Sequence, residues 1–127
     1  MKYLLSGSVA AIVLAASLGQ ASADQYLGSY TARISDTDHY ASDGYPLDTA
    51  AQMVRQDRAN MHKFGRTDAE DDDDPWFASA DSRARLEKFL NKSGAMSSAT
   101  RKAIAAGEPV VQVDVFANSV KVIIVGY

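Results

Sequence analysis

Cysteine is absent from this chain. That excludes disulfides, thiol catalysis and thiolate metal sites, so hydrophobic burial has to stabilise the fold. A chain of about 100 residues can manage that without cross-links. There is also no cysteine on which a lipid could be attached after a leader. Long apolar runs are lacking beyond the N-terminus, so no later segment reads as a membrane span. Positive charge is in short supply: 13 Lys and Arg stand against 16 Asp and Glu, a formal net of −3. Nucleic acid and anionic membrane surfaces attract Lys and Arg, so neither is an expected partner. No internal repeat, nucleotide-binding loop or nucleophile elbow is present.

What is present begins with an export signal. Lys2 supplies a positive start, and Leu4 to Leu18 form a mostly apolar stretch. Ala21-Ser22-Ala23 is the small-x-small pattern that a signal peptidase cuts. The densest apolar part, Val9 to Leu18, is too short for a spanning helix, which needs about 20 residues. The expectation is a signal peptide over 1–23, cleavage after Ala23, and a single domain over 24–127 in the periplasm or secreted. Losing Lys2 makes that domain more acidic still. Asn91-Lys92-Ser93 fits a glycosylation sequon, a three-residue pattern with little specificity.

Along the domain, Gln25 to Ile34 alternates as a strand, with Tyr26, Gly28, Tyr30, Ala32 and Ile34 on one face. Ser35 to Pro46 is a polar loop rich in Asp, Ser and Gly. Asp48 to Phe64 has helical spacing, a Thr49/Gln52 capping box and Gly65 as a stop. A second helix follows Ser79 and runs to about Asn91, and a short third covers about Ser98 to Ala106. Val110 to Phe116 and Val120 to Val125 read as a hairpin. With Asn118-Ser119 as its turn, Val115 faces Val122 and Val113 faces Ile124. The expected fold is α+β, in the order β-α-α-α-β-β. A small three-stranded antiparallel sheet would have its helices packed on one face.

Four features could carry function. Asp57 falls inside the apolar stripe of the first helix, where a carboxylate needs a partner such as Arg33, Arg83, Arg85, a Tyr hydroxyl or loop amides. It is either a pin between helix and loop or the floor of a cleft. Asp68, Glu70, Asp71, Asp72, Asp73 and Asp74 put six carboxylates into seven positions. That loop is either a solvated, mobile charge run or a Ca²⁺ site, although its spacing fails the EF-hand pattern. His39 and His62 could join an acid in metal binding or acid–base work. No nucleophile, base and orienter appear together, so a hydrolase using Asp57 or His39 is the weakest of the readings. Finally, Phe116, Ile123 and Val125 fall on the outer hairpin face. They await either a partner or a cover from the 35–46 loop with Tyr40 and Tyr45.

The strings Arg55-Gln56-Asp57-Arg58-Ala59-Asn60, His62-Lys63-Phe64-Gly65, Asp68, Glu70-Asp71 and Asp74-Pro75 resemble a group of uncharacterised small exported proteobacterial proteins. The resemblance covers about Tyr30 to Val122. It implies a bacterial source and export, and treats the first helix and acidic loop as one unit. It carries no activity across. The functional expectation is a non-enzymatic binding module, with Asp57, Arg58, His62, Asp68, Glu70, Asp71 and Asp74 as candidate binding residues. Its partner would be a periplasmic protein or a second copy docked on the hairpin face. The alternative is a Ca²⁺-binding protein using the acidic loop 68–74.

Overall fold

The computed structural model describes residues 23–127, so the expected leader lies outside the described residues except for Ala23. The order is β1 (Tyr26–Arg33), a 3-10 turn (Asp36–His39), α1 (Ala50–Phe64), α2 (Ala80–Leu90), α3 (Ser98–Ala106), β2 (Val110–Phe116) and β3 (Val120–Gly126). The expected α+β order is therefore observed. The three strands form one antiparallel sheet in the order β1-β2-β3. Among the described residues, no helix is long and apolar enough to cross a membrane.

Local chemistry sets the helix ends. Thr49 Oγ1 accepts the Gln52 N–H at 3.2 Å, and Gln52 Oε1 accepts the N–H groups of Asp48 and Thr49. This box satisfies backbone donors that the first helical turn leaves free. Gly65 stops α1 in the left-handed region at φ 66°, its N–H reaching Met61 O. Ser79 caps α2 with a box of the same kind, and Ser97 Oγ accepts the Thr100 N–H at the start of α3.

The sheet's inner face carries Tyr30, Ala32, Val111, Val113, Val120 and Val122, all buried. Met53 and Val54 of α1, Leu86 and Leu90 of α2, and Ile104 of α3 close over it. Each fully buried aliphatic side chain contributes roughly 1.5–3 kcal/mol relative to exposure.

Two register details differ from expectation. The hairpin turn is Ala117-Asn118, one residue earlier than expected, and Phe116 N–H reaches Ser119 O at 2.9 Å. Val115 therefore faces Val120, Val113 faces Val122, and Val111 faces Ile124. The inner face is unchanged because the slip is two residues, and strand side chains alternate with period two. Asp24 holds this turn: its carboxylate accepts the Asn118 N–H and the Ser119 hydroxyl.

The second difference is a bulge between Tyr26 and Gly28. The extra residue turns Tyr26 to the outer face, where it meets Phe116 edge-on at 5.4 Å between ring centroids. Gly28 has φ 155°, and the Trp76 ring lies against it. A Cβ there would stand 2.8 Å from the ring, so only glycine accommodates the indole.

The two sides of the fold are treated differently. The 35–46 loop does not cover the outer sheet face. Asn60 Nδ2 donates to Thr37 O and Asp38, and Gln56 Nε2 donates to Ser42 Oγ, which tie the loop to α1. Tyr45 is left 75% exposed, while Ile123 and Val125 remain 51% and 50% exposed.

Candidate functional site

Helix α1 turns Asp57 and Arg58 inward, and both are buried. The Arg58 guanidinium is the hub. Its Nε donates to Asp57 Oδ2 at 2.9 Å, and its Nη1 donates to Asp72 O and Asp74 Oδ2, each at 2.9 Å. Nη2 lies 2.8 Å from Asp57 Oδ2 but off the hydrogen-bond direction, so its attraction is ionic only. The guanidinium plane rests on the Tyr30 ring, 4.1 Å from its centroid. A cation over an aromatic face gains most where water is excluded.

Asp57 thus finds its ionic partner in its own chain neighbour. Adjacent helical side chains do not ordinarily face each other. Arg58 reaches Asp57 through its long, flexible stem. A second carboxyl, Asp38 of the 3-10 turn, lies close enough for its charge to act on Asp57. Asp38 is fixed by Asn60 Nδ2 at 2.8 Å and by the Ser35 N–H at 2.9 Å. Burial pushes both acids up, Asp57 well above the ordinary range, and the charge of Arg58 only partly offsets this for Asp57. Two acids therefore meet beside one guanidinium, and Asp57 is the one pushed further toward its neutral form.

Asp74 behaves oppositely. Its Oδ1 accepts the N–H groups of Trp76 and Phe77 at 2.8 and 2.7 Å. Its Oδ2 takes Arg58 Nη1 and His62 Nε2, the latter at 2.7 Å. Burial alone would raise this acid, but the hydrogen bonds from His62, Arg58 and Phe77 outweigh it and hold it below its ordinary range. His62 lies one turn beyond Arg58 on the same face of α1, which is why both reach one carboxylate.

The rest of the acidic loop runs along β1 rather than moving free in solvent. Asp72 N–H donates to Thr31 O at 2.8 Å, and Thr31 N–H donates to Asp72 Oδ2 at 2.9 Å. Asp71 Oδ1 accepts the Arg33 N–H, and its Oδ2 accepts the Asp68 N–H. Glu70 pairs with Arg33 Nη2 at 2.6 Å. The loop supplies carboxylates where a fourth strand would supply carbonyls, which protects the open edge of β1.

Of the candidate residues, Asp57, Arg58, His62 and Asp74 come together in one network. Asp68, Glu70 and Asp71 belong to the adjoining strap. His39 lies elsewhere: its ring nitrogens face Ser35 O at 2.9 Å and Ile104 O at 3.0 Å, linking the 3-10 turn to α3. Chemically, the network is suited to holding α1, β1 and the loop together. The side that opens outward is His62 with the exposed Asp73; the donor atoms of His62, Asp73 and Asp74 lie within 4.8 Å of one another. Sequence reasoning missed Arg58 and Asp38 as the charged neighbours of Asp57, and Tyr30 as the ring under Arg58. A signal did exist for Asp38, since Asp-Thr-Asp-His after Ser35 matches a capped turn. Comparison with protein-family models, with curated proteins and with solved structures finds no match.

Proposed function

We propose that this chain is an exported, non-enzymatic interaction module that works through the outer face of its sheet. Export is supported by the leader pattern of residues 1–23, with cleavage after Ala23. The observation that carries the interaction reading is the contrast between the two sheet faces. The inner face is closed by the helices, while Tyr26, Ile123 and Val125 lie exposed on the outer face beside the half-covered Phe116. An exposed apolar strip of this kind marks a docking surface.

The occupant is a second copy of the chain. Asp114 and Lys121 are cross-strand neighbours in the same strip. Two copies laid face to face about a two-fold axis set the acid of each against the lysine of the other, and such isologous pairing is the commonest way chains self-associate. Sedimentation velocity of the purified protein and of Ile123→Lys tests this. The expected result is a concentration-dependent dimer for the parent and a monomer of equal melting temperature for the variant. A parent that stays monomeric to about 1 mM would remove the second copy as occupant. A defined periplasmic protein that binds the parent and not Ile123→Lys would then identify a different occupant of the same face.

A second reading, cation binding, is favoured by the grouping of His62, Asp73 and Asp74. It must compete with four hydrogen bonds already made to Asp74, one of them from the Arg58 cation. A melting temperature that rises with Ca²⁺ or Zn²⁺ and no longer does so in Asp73→Asn would support it. No rise at millimolar metal would end it.

A further inference from the structure

A cleft of about 460 Å³ lies between α1, α2 and the 41–47 loop, and none of the seven candidate binding residues lines it. Arg55, Lys63 and Arg83 reach its walls, as do Asp43 and Glu87. Most of these charges already have partners. Arg55 pairs with Glu87 at 3.0 Å, and Asp43 accepts the Tyr45 N–H at 3.1 Å.

Lys63 and Arg83 are the exceptions, and of the two only Arg83 is buried. It is only 7% exposed, yet among the described residues no carboxylate lies within ion-pair distance of it. Its Nη1 donates to the carbonyls of Phe77 and Ala78 at 3.0 and 2.9 Å. Those two bonds fix the guanidinium in place. Its Nε and Nη2 take no partner among the described residues, and neither is sealed from solvent. The residue as a whole is more than nine-tenths buried and has no counter-charge, so its two free donors look to whatever enters the cleft. The Nε and Nη2 hydrogens form one straight edge, the side of the group that receives two oxygens of a carboxylate or phosphate at once.

The surroundings fit the same ligand chemistry. Gln52 spends its Oε1 on the helix cap, which leaves its amide N–H groups to donate. Ser42 Oγ accepts from Gln56, which leaves the Ser42 hydroxyl hydrogen to donate. Lys63 stands exposed at the rim. Leu47, Ala59 and Ala80 offer apolar wall for a small carbon body.

We infer that this cleft binds a small molecule through an oxyanion, a carboxylate or phosphate group seated on the Nε–Nη2 edge of Arg83. In a chain of net charge −3, anions are not drawn by the overall field, so the selectivity resides in this fixed fork and in Lys63.

The test follows the ¹⁵Nε–H resonance of Arg83 in the purified protein. Inorganic phosphate and butyrate are titrated separately at constant ionic strength, with chloride as the reference. A saturable shift is expected with at least one anion. Phosphate alone would mark a phosphorylated ligand, and butyrate alone a carboxylic acid. Lys63→Glu, at an exposed position, should weaken binding about tenfold, and Arg83→Lys by at least as much, because a point charge lacks the fork. If Arg83→Lys does not fold, Lys63→Glu decides alone. No saturable shift with either anion up to about 20 mM would overturn the inference, as would an affinity unchanged in Lys63→Glu.

Discussion

Replacing Asp74 by asparagine keeps the side chain's shape and removes its charge. Each carboxylate oxygen now accepts two donors. Asparagine offers one acceptor oxygen, and whichever way the amide turns, its N–H₂ is set against two other donors. Two hydrogen bonds to a charged group are lost, at about 1.5–3 kcal/mol each. Arg58, fully buried, loses its ionised partner at the same time, and breaking a buried pair costs about 3–5 kcal/mol. The two routes overlap, so the expected loss is about 3–5 kcal/mol rather than their sum. In a domain of about 100 residues this lowers the melting temperature by at least about 12 °C. Asp57→Asn is the control. The asparagine introduced there has the shape of the neutral acid that burial favours, and its oxygen can still accept from Arg58 Nε. That change should cost less than about 1 kcal/mol. Urea unfolding followed by the fluorescence of Trp76, the single tryptophan, measures both. An Asp57→Asn loss equal to or larger than that of Asp74→Asn would refute the assignment of charge and proton within the network.

The same shifts predict a pH profile. Asp57 and Asp38 are raised in the folded state, so the folded chain binds extra protons as pH falls through their folded range, and stability rises there. Asp74 is lowered, so its contribution is present above the unfolded carboxylate range and is lost as pH falls through its folded value. The melting temperature should therefore climb from neutral toward about pH 5 and drop below about pH 4, and Asp57→Asn should flatten the climb. Gly28→Ala should destabilise by about 1–3 kcal/mol, through a Cβ driven into Trp76 and a strained φ, and should shift Trp76 emission even where folding survives. Asp24→Ala should cost about 0.5–1.5 kcal/mol by freeing the hairpin turn, with faster amide exchange at Asn118 as its specific signature.

The order of elements and the helix ends were legible because their signals are local: Thr49 with Gln52, Ser79, Gly65, and the alternation of Val111, Val113 and Val115. The burial of Asp57 was legible for the same reason, since helical periodicity alone puts it among apolar neighbours. What periodicity cannot report is which distant group meets it. Asp38 lies far from it along the chain, and Arg58 reaches it only through its long stem. The acidic loop read as mobile because charge density was weighed against solvent alone. The open edge of β1, which offers the Thr31 and Arg33 N–H groups to those carboxylates, is a product of the tertiary fold. Arg83 drew attention only as a candidate partner for Asp57. Its isolation is visible once the positions of all the carboxylates are known.

The strap along β1 has one further result. A strand edge guarded by backbone carbonyls stays guarded at any acidity, whereas one guarded in part by Asp71 and Glu70 depends on groups that gain protons in acid. Below the carboxylate range Asp71 holds the Arg33 amide less firmly, and Glu70 releases the Arg33 side chain. Strong acid would then bare a flat run of backbone beside an already apolar sheet. The domain would be left open to strand exchange and fibre growth in acid.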